Sequence, residues 1–255
     1  MPARNIKLVI SYDGALFNGW QIQPDRPTIQ GALSDAILRI TGERVLPQGS
    51  GRTDAGVHAL AQVASFPSTS SIPLENFVKA LNSILPESVR VLTMEEAAAD
   101  FHARHCAKAK TYEYRIYRGS ICPPFLAKYA YHHPYPLDED AMKEASELVV
   151  GDHDFTSFAA VDPDRSQSLA EGSKLDNVRT IFTSRWERRG EELLYKVRGN
   201  GFLHHMVRNL VGTFLIVGKG SLKPDDIPRI LEAKNRSAAS ATAPARGLYL
   251  VSVEY

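Results

Sequence analysis

One acidic side chain lies inside a glycine-rich run, and the residues around it are of types that can do chemistry. The run spans residues 49–59 and reads Gly-Ser-Gly-Arg-Thr-Asp-Ala-Gly-Val-His-Ala, with Asp54 two positions after Arg52. A nearby guanidinium favours the ionised form of a carboxylate, and an ionised carboxylate can act as a nucleophile. Asp and Gly also dominate ordinary turns, for purely local reasons. The residues alone leave both interpretations open, a simple turn or a carboxylate presented to a substrate.

Tyr112 is a second candidate, within Thr-Tyr-Glu-Tyr at residues 111–114. The alternation around it is typical of a strand, where aromatic side chains are enriched because they pack across strands. The alternative role is stacking on a nucleobase, which contributes roughly 1–3 kcal/mol per base. From the residues alone, cross-strand packing is the favoured explanation.

Arg208 is a third candidate, because it lies in an apolar stretch predicted as a helix over residues 203–217. At 3.6 residues per turn it falls near His204 and His205 on the only polar stripe of that helix. A charge on a mostly buried helix needs a partner. That partner is Asp54, an acidic residue elsewhere in the chain, or a phosphate group.

Other residues invite a metal or a nucleotide, and their spacing argues against both. His132 with His133 and His204 with His205 form two histidine pairs. Neither pair has cysteines or carboxylates at the spacing of a zinc site. Residues 49–51 resemble the start of a phosphate loop but lack its Gly-Lys-Ser/Thr ending. We expect no metal and no nucleoside triphosphate.

The charge balance gives no global argument for nucleic acid, since the net charge is only +1. A local basic stretch exists, which is either a solvated strand edge or an anion-binding patch. Its members are Arg104, Lys108, Lys110, Arg115 and Arg118.

The few cysteines and the lack of long apolar runs indicate the compartment. Cys106 and Cys122 are the two cysteines and have no Cys-x-x-Cys spacing, which fits a reducing cytosol. The first residues lack the apolar region of a signal peptide, and the longest apolar run, near residues 210–217, is far short of a membrane span. We expect a soluble cytoplasmic protein with no membrane segment.

The predicted elements that must position these residues follow the order β-α-β-β-α-β twice. In the first half the hydrophobic periods predict strands at residues 6–11, 43–47, 60–66 and 88–94 and helices at residues 28–41 and 74–85. In the second half they predict strands at residues 110–118, 179–188, 191–199 and 248–253, a helix at residues 138–150, the helix carrying Arg208 and a short helix after Pro224. Residues 151–177 are predicted to be long and irregular, and residues 237–246 to be a surface loop.

Several ordered motifs resemble the tRNA pseudouridine synthase A (TruA) family, whose signature is Gly-Arg-Thr-Asp-Ala-Gly-Val-His. That signature stands at residues 51–58. Further blocks resemble the family in the same order and span nearly the whole chain. They lie at residues 12–14, 17–21, 100–104, 110–114, 154–158, 202–209 and 247–250. The chain departs from the family pattern at residues 166–177, which puts the breadth of its targets in question.

The resemblance implies a fold and a reaction. The implied fold is α+β, with two ferredoxin-like halves at residues 1–100 and 101–255. They would form one mixed, mainly antiparallel sheet with helices on one face and a basic cleft on the other. The implied reaction isomerises uridine to pseudouridine at positions 38, 39 and 40 in the anticodon stem-loop of tRNA, without a cofactor. The implied assembly is a homodimer.

The resemblance also implies roles for single residues. Asp54 would be the nucleophile, Tyr112 would stack on the base and transfer a proton, and Arg208 would pair with Asp54. The further substrate-binding residues expected are Arg52, Lys110, His204, His205, Leu248 and Leu250, although core packing explains the two leucines equally well.

Two other functions compete with this one. A tRNA-folding helper would bind without chemistry, but it would need neither Asp54 nor Tyr112. A nucleoside hydrolase of the glycosidase type would need two carboxyls flanking the bond, and the Asp54 motif supplies one.

Overall fold

The computed structural model describes residues 3–161 and 176–255, and the chain divides into two compact units. The first comprises Met1–Lys110 with Tyr249–Tyr255, and the second comprises Thr111–Leu248. Within the described ranges there are ten strands and five α-helices, and the strands pair mainly antiparallel. The predicted α+β class is confirmed. The predicted halves at residues 1–100 and 101–255 stay a prediction.

The elements follow each other in an order close to the predicted one. They are β1 (Arg4–Tyr12), α1 (Ile29–Thr41), β2 (Gln48–Gly49), β3 (His58–Ser68), α2 (Leu74–Ile84), β4 (Val89–Ala97), β5 (Ala109–Tyr117), β6 (Tyr131–His132), α3 (Glu139–Glu147), β7 (Gly151–Asp154), β8 (Val178–Arg189), β9 (Glu192–Gly199), α4 (Met206–Gly218), α5 (Asp226–Glu232) and β10 (Leu248–Glu254). No helix within residues 3–161 and 176–255 has the length and apolar character that crossing a membrane requires.

The first unit has the strand pairing of a split βαβ motif. Strand β1 lies between β3 and β4 and is antiparallel to both, and β2 pairs antiparallel with β3. Alternate residues of β1 are buried, from Ile6 through Leu8 and Ile10 to Tyr12. The edge of β3 that takes β2 at Ala64 and Ser65 also takes β10, in parallel, at His58 and Ala59.

Helix α1 begins and ends where its capping residues predict. The Thr28 hydroxyl accepts a hydrogen bond from the Gly31 amide, and Gly42 ends the helix with a left-handed φ of 76°. Ile29, Leu33 and other apolar residues of one face are buried. Local sequence chemistry therefore fixes this element almost completely.

The predicted strand over residues 43–47 is wrong, because only Gln48–Gly49 pairs with β3. The Glu43 carboxylate accepts hydrogen bonds from the Ser68 hydroxyl at 2.6 Å and the Thr69 amide at 2.7 Å. The Pro47 carbonyl accepts one from the Gln30 side chain. Side chains thus tie this segment down in place of a ladder, to which proline cannot donate.

The second unit orders its strands β5-β9-β8-β7, with β6 beside β5. The strands predicted at residues 179–188 and 191–199 are confirmed, and they form a hairpin: β8 and β9 pair antiparallel on either side of Gly190, which has a φ of 56°. Trp186, Tyr195 and Phe214 form an aromatic cluster between this hairpin and α4.

Two predictions for the second unit need correction. The segment at residues 151–177 is not irregular at its start, since Gly151–Asp154 is a strand paired with β8. Its later residues, 162–175, which include most of the family-divergent stretch at 166–177, lie outside the described residues. The helix predicted from residue 203 begins only at Met206, because His205 takes a left-handed φ of 59° that ends the helical path.

Candidate active-site residues

Asp54 opens a tight turn between β2 and β3. Its carbonyl accepts a hydrogen bond from the Val57 amide at 3.1 Å, and Gly56 in the third position has a φ of 79°. A left-handed third residue is the mark of a type II turn. Asp54 itself is half-buried, while Arg52 is exposed. The backbone makes a turn and the residue that begins it keeps part of its surface open to solvent.

The segment after β1 supports this turn by close backbone contact. The Trp20 amide donates to the Thr53 carbonyl at 3.0 Å. A Cβ atom at Gly19 would lie 2.5 Å from that same carbonyl oxygen, and one at Gly14 would lie 2.0 Å from the Val57 carbonyl oxygen. Only glycine permits the approach, so the motif blocks at residues 12–14 and 17–21 act on the turn that carries Asp54.

Buried polar side chains hold the stretch before Asp54. The Tyr12 hydroxyl lies 2.8 Å from the Thr53 hydroxyl, and burial raises the pKa of Tyr12 to about 12. The Gln62 side chain donates to the Gly51 carbonyl at 2.9 Å and accepts from the Ser50 hydroxyl at 2.6 Å. Neither Tyr12 nor Gln62 was singled out from the sequence. The inward alternation of β1 was an available signal for Tyr12, because a buried hydroxyl needs a partner.

Lys110, a predicted substrate-binding residue, contacts the same loop. Its ammonium donates a 2.5 Å hydrogen bond to the Ser50 carbonyl. A Cβ atom at Gly51 would lie 3.1 Å from that ammonium nitrogen. In this structure Lys110 therefore braces the Asp54 loop, and contact with substrate stays a prediction for it.

His58 begins β3 directly after the turn and is 2% exposed. Its Nδ1 accepts a hydrogen bond from the Gly14 amide at 3.1 Å and lies 3.1 Å from an Asp13 carboxylate oxygen. Its ring stacks on Tyr249, with centroids 4.8 Å apart. The histidine that ends the signature motif thus anchors the C-terminal side of the turn.

Tyr112 lies on β5 in the second unit and is 8% exposed. Its ring meets Phe202 edge-on, with centroids 5.0 Å apart and planes at 79°. Tyr114, two residues along the strand, is fully buried and donates to the Pro244 carbonyl at 2.8 Å. Burial raises the pKa of Tyr114 far above its ordinary value. Packing accounts for Tyr114, while the role predicted for Tyr112 stays a prediction.

Arg208 is the third residue of α4, and the polar stripe predicted around it does not exist. His204 and His205 precede the helix, which begins at Met206. The Arg208 Nε donates to the Ala243 carbonyl at 2.8 Å, and the Arg208 carbonyl accepts from the Ala243 amide at 3.1 Å. This reciprocal pair fixes the half-buried arginine to a segment far along the chain.

The rings of His204 and His205 lie side by side, with centroids 4.0 Å apart and planes tilted by 41°. The Nδ1 of exposed His204 lies 2.9 Å from the Val161 carbonyl oxygen. His205 has a left-handed φ, which strains the backbone of a residue other than glycine. Such strained residues cluster at functional sites. The predicted contact of His204 and His205 with substrate stays a prediction.

Leu248 and Leu250 lie on β10 and are buried, at 6% and 0% exposed. Such burial is what core packing requires. Their predicted contact with substrate is untested.

Comparison with known proteins shows which family the chain belongs to. A family model described as tRNA pseudouridine synthase matches residues 8–105 and 145–255, which is most of the chain. The tRNA pseudouridine synthase A of Solibacter usitatus is 49% identical over 253 residues, covering 99% of this chain and 100% of its own. The protein of the same name from Caldicellulosiruptor bescii is 45% identical over 252 residues, again covering 99% and 100%.

The chain also matches solved structures, and the likeness to the one described next is weak. One match is the crystal structure of a Cbf5–Nop10–Gar1 complex, at 12% identity and a TM-score of 0.29, covering 96% of this chain and 57% of that one. A likeness this weak indicates neither a shared fold nor a shared function. The family match and the full-length relatives, by contrast, agree with each other. The chain belongs to the tRNA pseudouridine synthase family.

Proposed function

We propose that this chain isomerises uridine to pseudouridine at positions 38, 39 and 40 in the anticodon stem-loop of tRNA, with Asp54 as the nucleophile. The observation that supports the assignment is the Asp54 turn, which is held by backbone and side-chain hydrogen bonds at Gly51, Thr53 and Val57. A reactive group held in one geometry removes much of the entropic barrier to reaction.

The chemistry asks for one carboxylate. The bond between the ribose C1′ and the uracil N1 breaks, the base turns over, and C1′ bonds to C5 instead. The proton originally on C5 leaves to a base, and N1 gains one, so the product is an isomer of the substrate. A carboxylate that adds to C1′ or to C6 stays bonded to one of the two parts while the enzyme holds the other in place, and it is released when C1′ has bonded to C5.

Tyr112 and Arg208 complete the proposal. Tyr112 stacks on the turned base and transfers a proton. The edge-on contact with Phe202 holds the tyrosine ring in one plane, which suits stacking. Arg208 pairs with Asp54, and the hydrogen bond from its Nε to the Ala243 carbonyl fixes the orientation of the guanidinium.

Recognition follows from the nature of the substrate. Helical RNA is recognised largely by shape and backbone contacts, and a base to be modified must leave its stack. We assign Arg52, Lys110, His204 and His205 to contacts with the tRNA and Leu248 and Leu250 to the wall of the pocket. The working form is proposed to be a cytoplasmic homodimer, as the family resemblance implies.

The test compares wild type, Asp54→Asn and Asp35→Asn on a uridine-containing tRNA. Asp35 is an exposed aspartate on α1, so its variant matches the change in charge without touching the loop. Pseudouridine is read as carbodiimide-dependent stops of reverse transcription, and tRNA binding is measured in parallel. We expect stops at positions 38–40 with wild type and Asp35→Asn, and none with Asp54→Asn, although it still binds tRNA.

Each other result contradicts a different part of the proposal. Binding without modification by wild type, across several tRNAs, would favour the folding helper. Equal modification by Asp54→Asn would remove Asp54 from its role. Stops elsewhere in the tRNA would leave the chemistry and overturn the target site, and free uracil would indicate a hydrolase.

A further inference from the structure

We propose that Tyr12 and Gln62 are positioning residues, which hold the loop before Asp54 from beneath and so fix the orientation of its carboxylate. This inference rests on the proposed function, in which Asp54 reacts with the nucleoside. Both residues belong to strands of the first unit, and neither is assigned a part in the chemistry.

Both ends of the Gln62 side-chain amide form hydrogen bonds with this loop. Gln62 lies on β3 and is 0% exposed. Its Oε1 accepts from the Ser50 hydroxyl at 2.6 Å, and its Nε2 donates to the Gly51 carbonyl at 2.9 Å. Burial of an amide costs free energy that burial of an apolar side chain does not, so packing of the sheet alone does not require glutamine at this position. The amide at this position is explained by what it holds.

Tyr12 grips the residue next to Asp54. Its hydroxyl lies 2.8 Å from the Thr53 hydroxyl, and the Gln62 Nε2 lies 3.5 Å from the same Tyr12 oxygen. Because burial raises the pKa of Tyr12 to about 12, the hydroxyl is neutral at physiological pH and acts as a hydrogen-bonding group. The Thr53 carbonyl is held separately by the Trp20 amide. Thr53 is thus fixed through both its side chain and its backbone.

Together the two side chains hold three of the four residues that precede Asp54. Those residues are Ser50, Gly51 and Thr53. The loop can therefore shift only if buried hydrogen bonds break. Displacement of a reacting group by about 1 Å can slow a reaction roughly 100-fold. The rate of the chemical step should respond to these contacts more strongly than overall stability does.

A matched pair of variants separates positioning from stability. Tyr195 in the second unit is also fully buried, and its hydroxyl lies 2.8 Å from the Ser184 hydroxyl. Both Tyr12→Phe and Tyr195→Phe remove a buried hydroxyl–hydroxyl hydrogen bond, but only the first of these bonds touches the Asp54 loop. Gln62→Met removes the amide at nearly constant volume. The series also contains wild type and Asp54→Asn.

Three quantities are measured for each protein: the single-turnover rate of pseudouridine formation at saturating enzyme, the Kd for tRNA and the Tm. We expect both tyrosine variants to lower Tm by a few degrees. Tyr12→Phe should slow the chemical step about 10-fold and Gln62→Met roughly 10- to 100-fold, each with unchanged Kd. Tyr195→Phe should keep the wild-type rate.

The outcomes are distinct. A wild-type rate in Tyr12→Phe, with a lowered Tm, would show a purely structural role and overturn the proposal. An equal loss of rate in Tyr195→Phe would overturn it too. If Gln62→Met does not fold, Tyr12→Phe decides alone. A wild type that forms no pseudouridine would overturn the proposed function, and this inference with it.

Discussion

The two units hold their proposed reactive side chains in different ways. In the first unit, Asp54 lies in a loop that is held by side chains of neighbouring strands, chiefly Tyr12 and Gln62. In the second unit, Arg208 lies in the first turn of a helix and is held by a strap, the segment at residues 236–247. The first arrangement supports a loop, whereas the second ties a half-buried arginine to a packed segment.

Asn209 is the centre of the second arrangement. It is 0% exposed and follows Arg208 in α4. Its Oδ1 accepts hydrogen bonds from Arg236 at 3.1 Å and Thr242 at 2.7 Å, while its Nδ2 donates to the Phe158 carbonyl at 2.7 Å. One buried amide therefore joins the helix to two irregular segments.

The strap lies directly against α4. A Cβ atom at Gly212 would lie 1.9 Å from the Ala241 carbonyl oxygen, so only glycine allows the approach. The residues predicted to be a surface loop are thus packed in part, with Ala243 only 3% exposed. We conclude that damage to the first arrangement should appear mainly in the reaction rate, and damage to the second mainly in stability.

The largest effect is expected from Gly19→Ala. The new Cβ would lie 2.5 Å from the Thr53 carbonyl, and Gly19 has a φ of 89°. The backbone that carries Asp54 must shift, so pseudouridine formation should fall roughly 100-fold or more. Gly42→Ala is the matched control, because Gly42 has a φ of 76° with no atom within 4 Å.

The control should lose about 1 kcal/mol of stability and keep its rate. The rates are measured by single-turnover assay and the stabilities by urea unfolding. Equal rates in the two glycine variants would show that the close approach at Gly19 does not control Asp54.

A smaller effect, on stability rather than on reaction rate, is expected from Asn209→Leu. It leaves buried partners of the strap unsatisfied and should lower the free energy of unfolding by about 2–3 kcal/mol. Asn82→Leu is the control, since its amide bonds the backbone of Val91 in the first unit through both ends at 2.8 Å.

Urea unfolding and the single-turnover rate are measured for both asparagine variants. The control should be destabilised by about 1–2 kcal/mol and react at the wild-type rate. A fully stable Asn209→Leu protein would refute the assignment of Asn209 to the core of the second unit.

The smallest effect concerns pH. His133 in the second unit is 3% exposed, and burial, followed by the charges of Lys219 and Arg118, lowers its pKa. The unfolded chain therefore takes up the proton first as pH falls. The stabilisation is complete above the ordinary pKa of 6.5 and declines below it.

The urea midpoint is compared between about pH 7.5 and about pH 5.5. It should fall in wild type and fall less in His133→Asn. A remaining decline is expected because burial also lowers the pKa of His102. An identical decline in both proteins would mean that His133 does not contribute.

Elements defined by local rules could be predicted from the sequence. Helix α1 follows from a threonine cap and a terminal glycine, and the hairpin from Gly190. The pairing of β1, β3 and β4 follows from alternation and element order. The prediction of a strand at residues 43–47 is wrong because the Glu43 carboxylate accepts hydrogen bonds from Ser68 and Thr69. No local sequence pattern reveals such distant partners.

The supporting residues were harder to predict than the motif. Asp54 stands in a recognisable run, whereas Gln62 and Asn209 act through bonds to residues distant in sequence or on irregular segments. The hydrophobic periodicity of a strand or helix does not predict which groups a buried amide side chain will bond. The backbone geometry of His205 was equally hidden, because a left-handed residue other than glycine has no reliable sequence signal.

The shared edge of β3 has a consequence for how the protein is made. The neighbour of His58 and Ala59 on that edge is Tyr249–Leu250, and the whole second unit lies between them in sequence. The ribosome therefore delivers the second unit before the first can be completed. Contacts so distant along the chain slow folding. The anchor of the Asp54 turn should be among the last parts of a nascent chain to form, so that premature termination yields protein without a finished reactive loop.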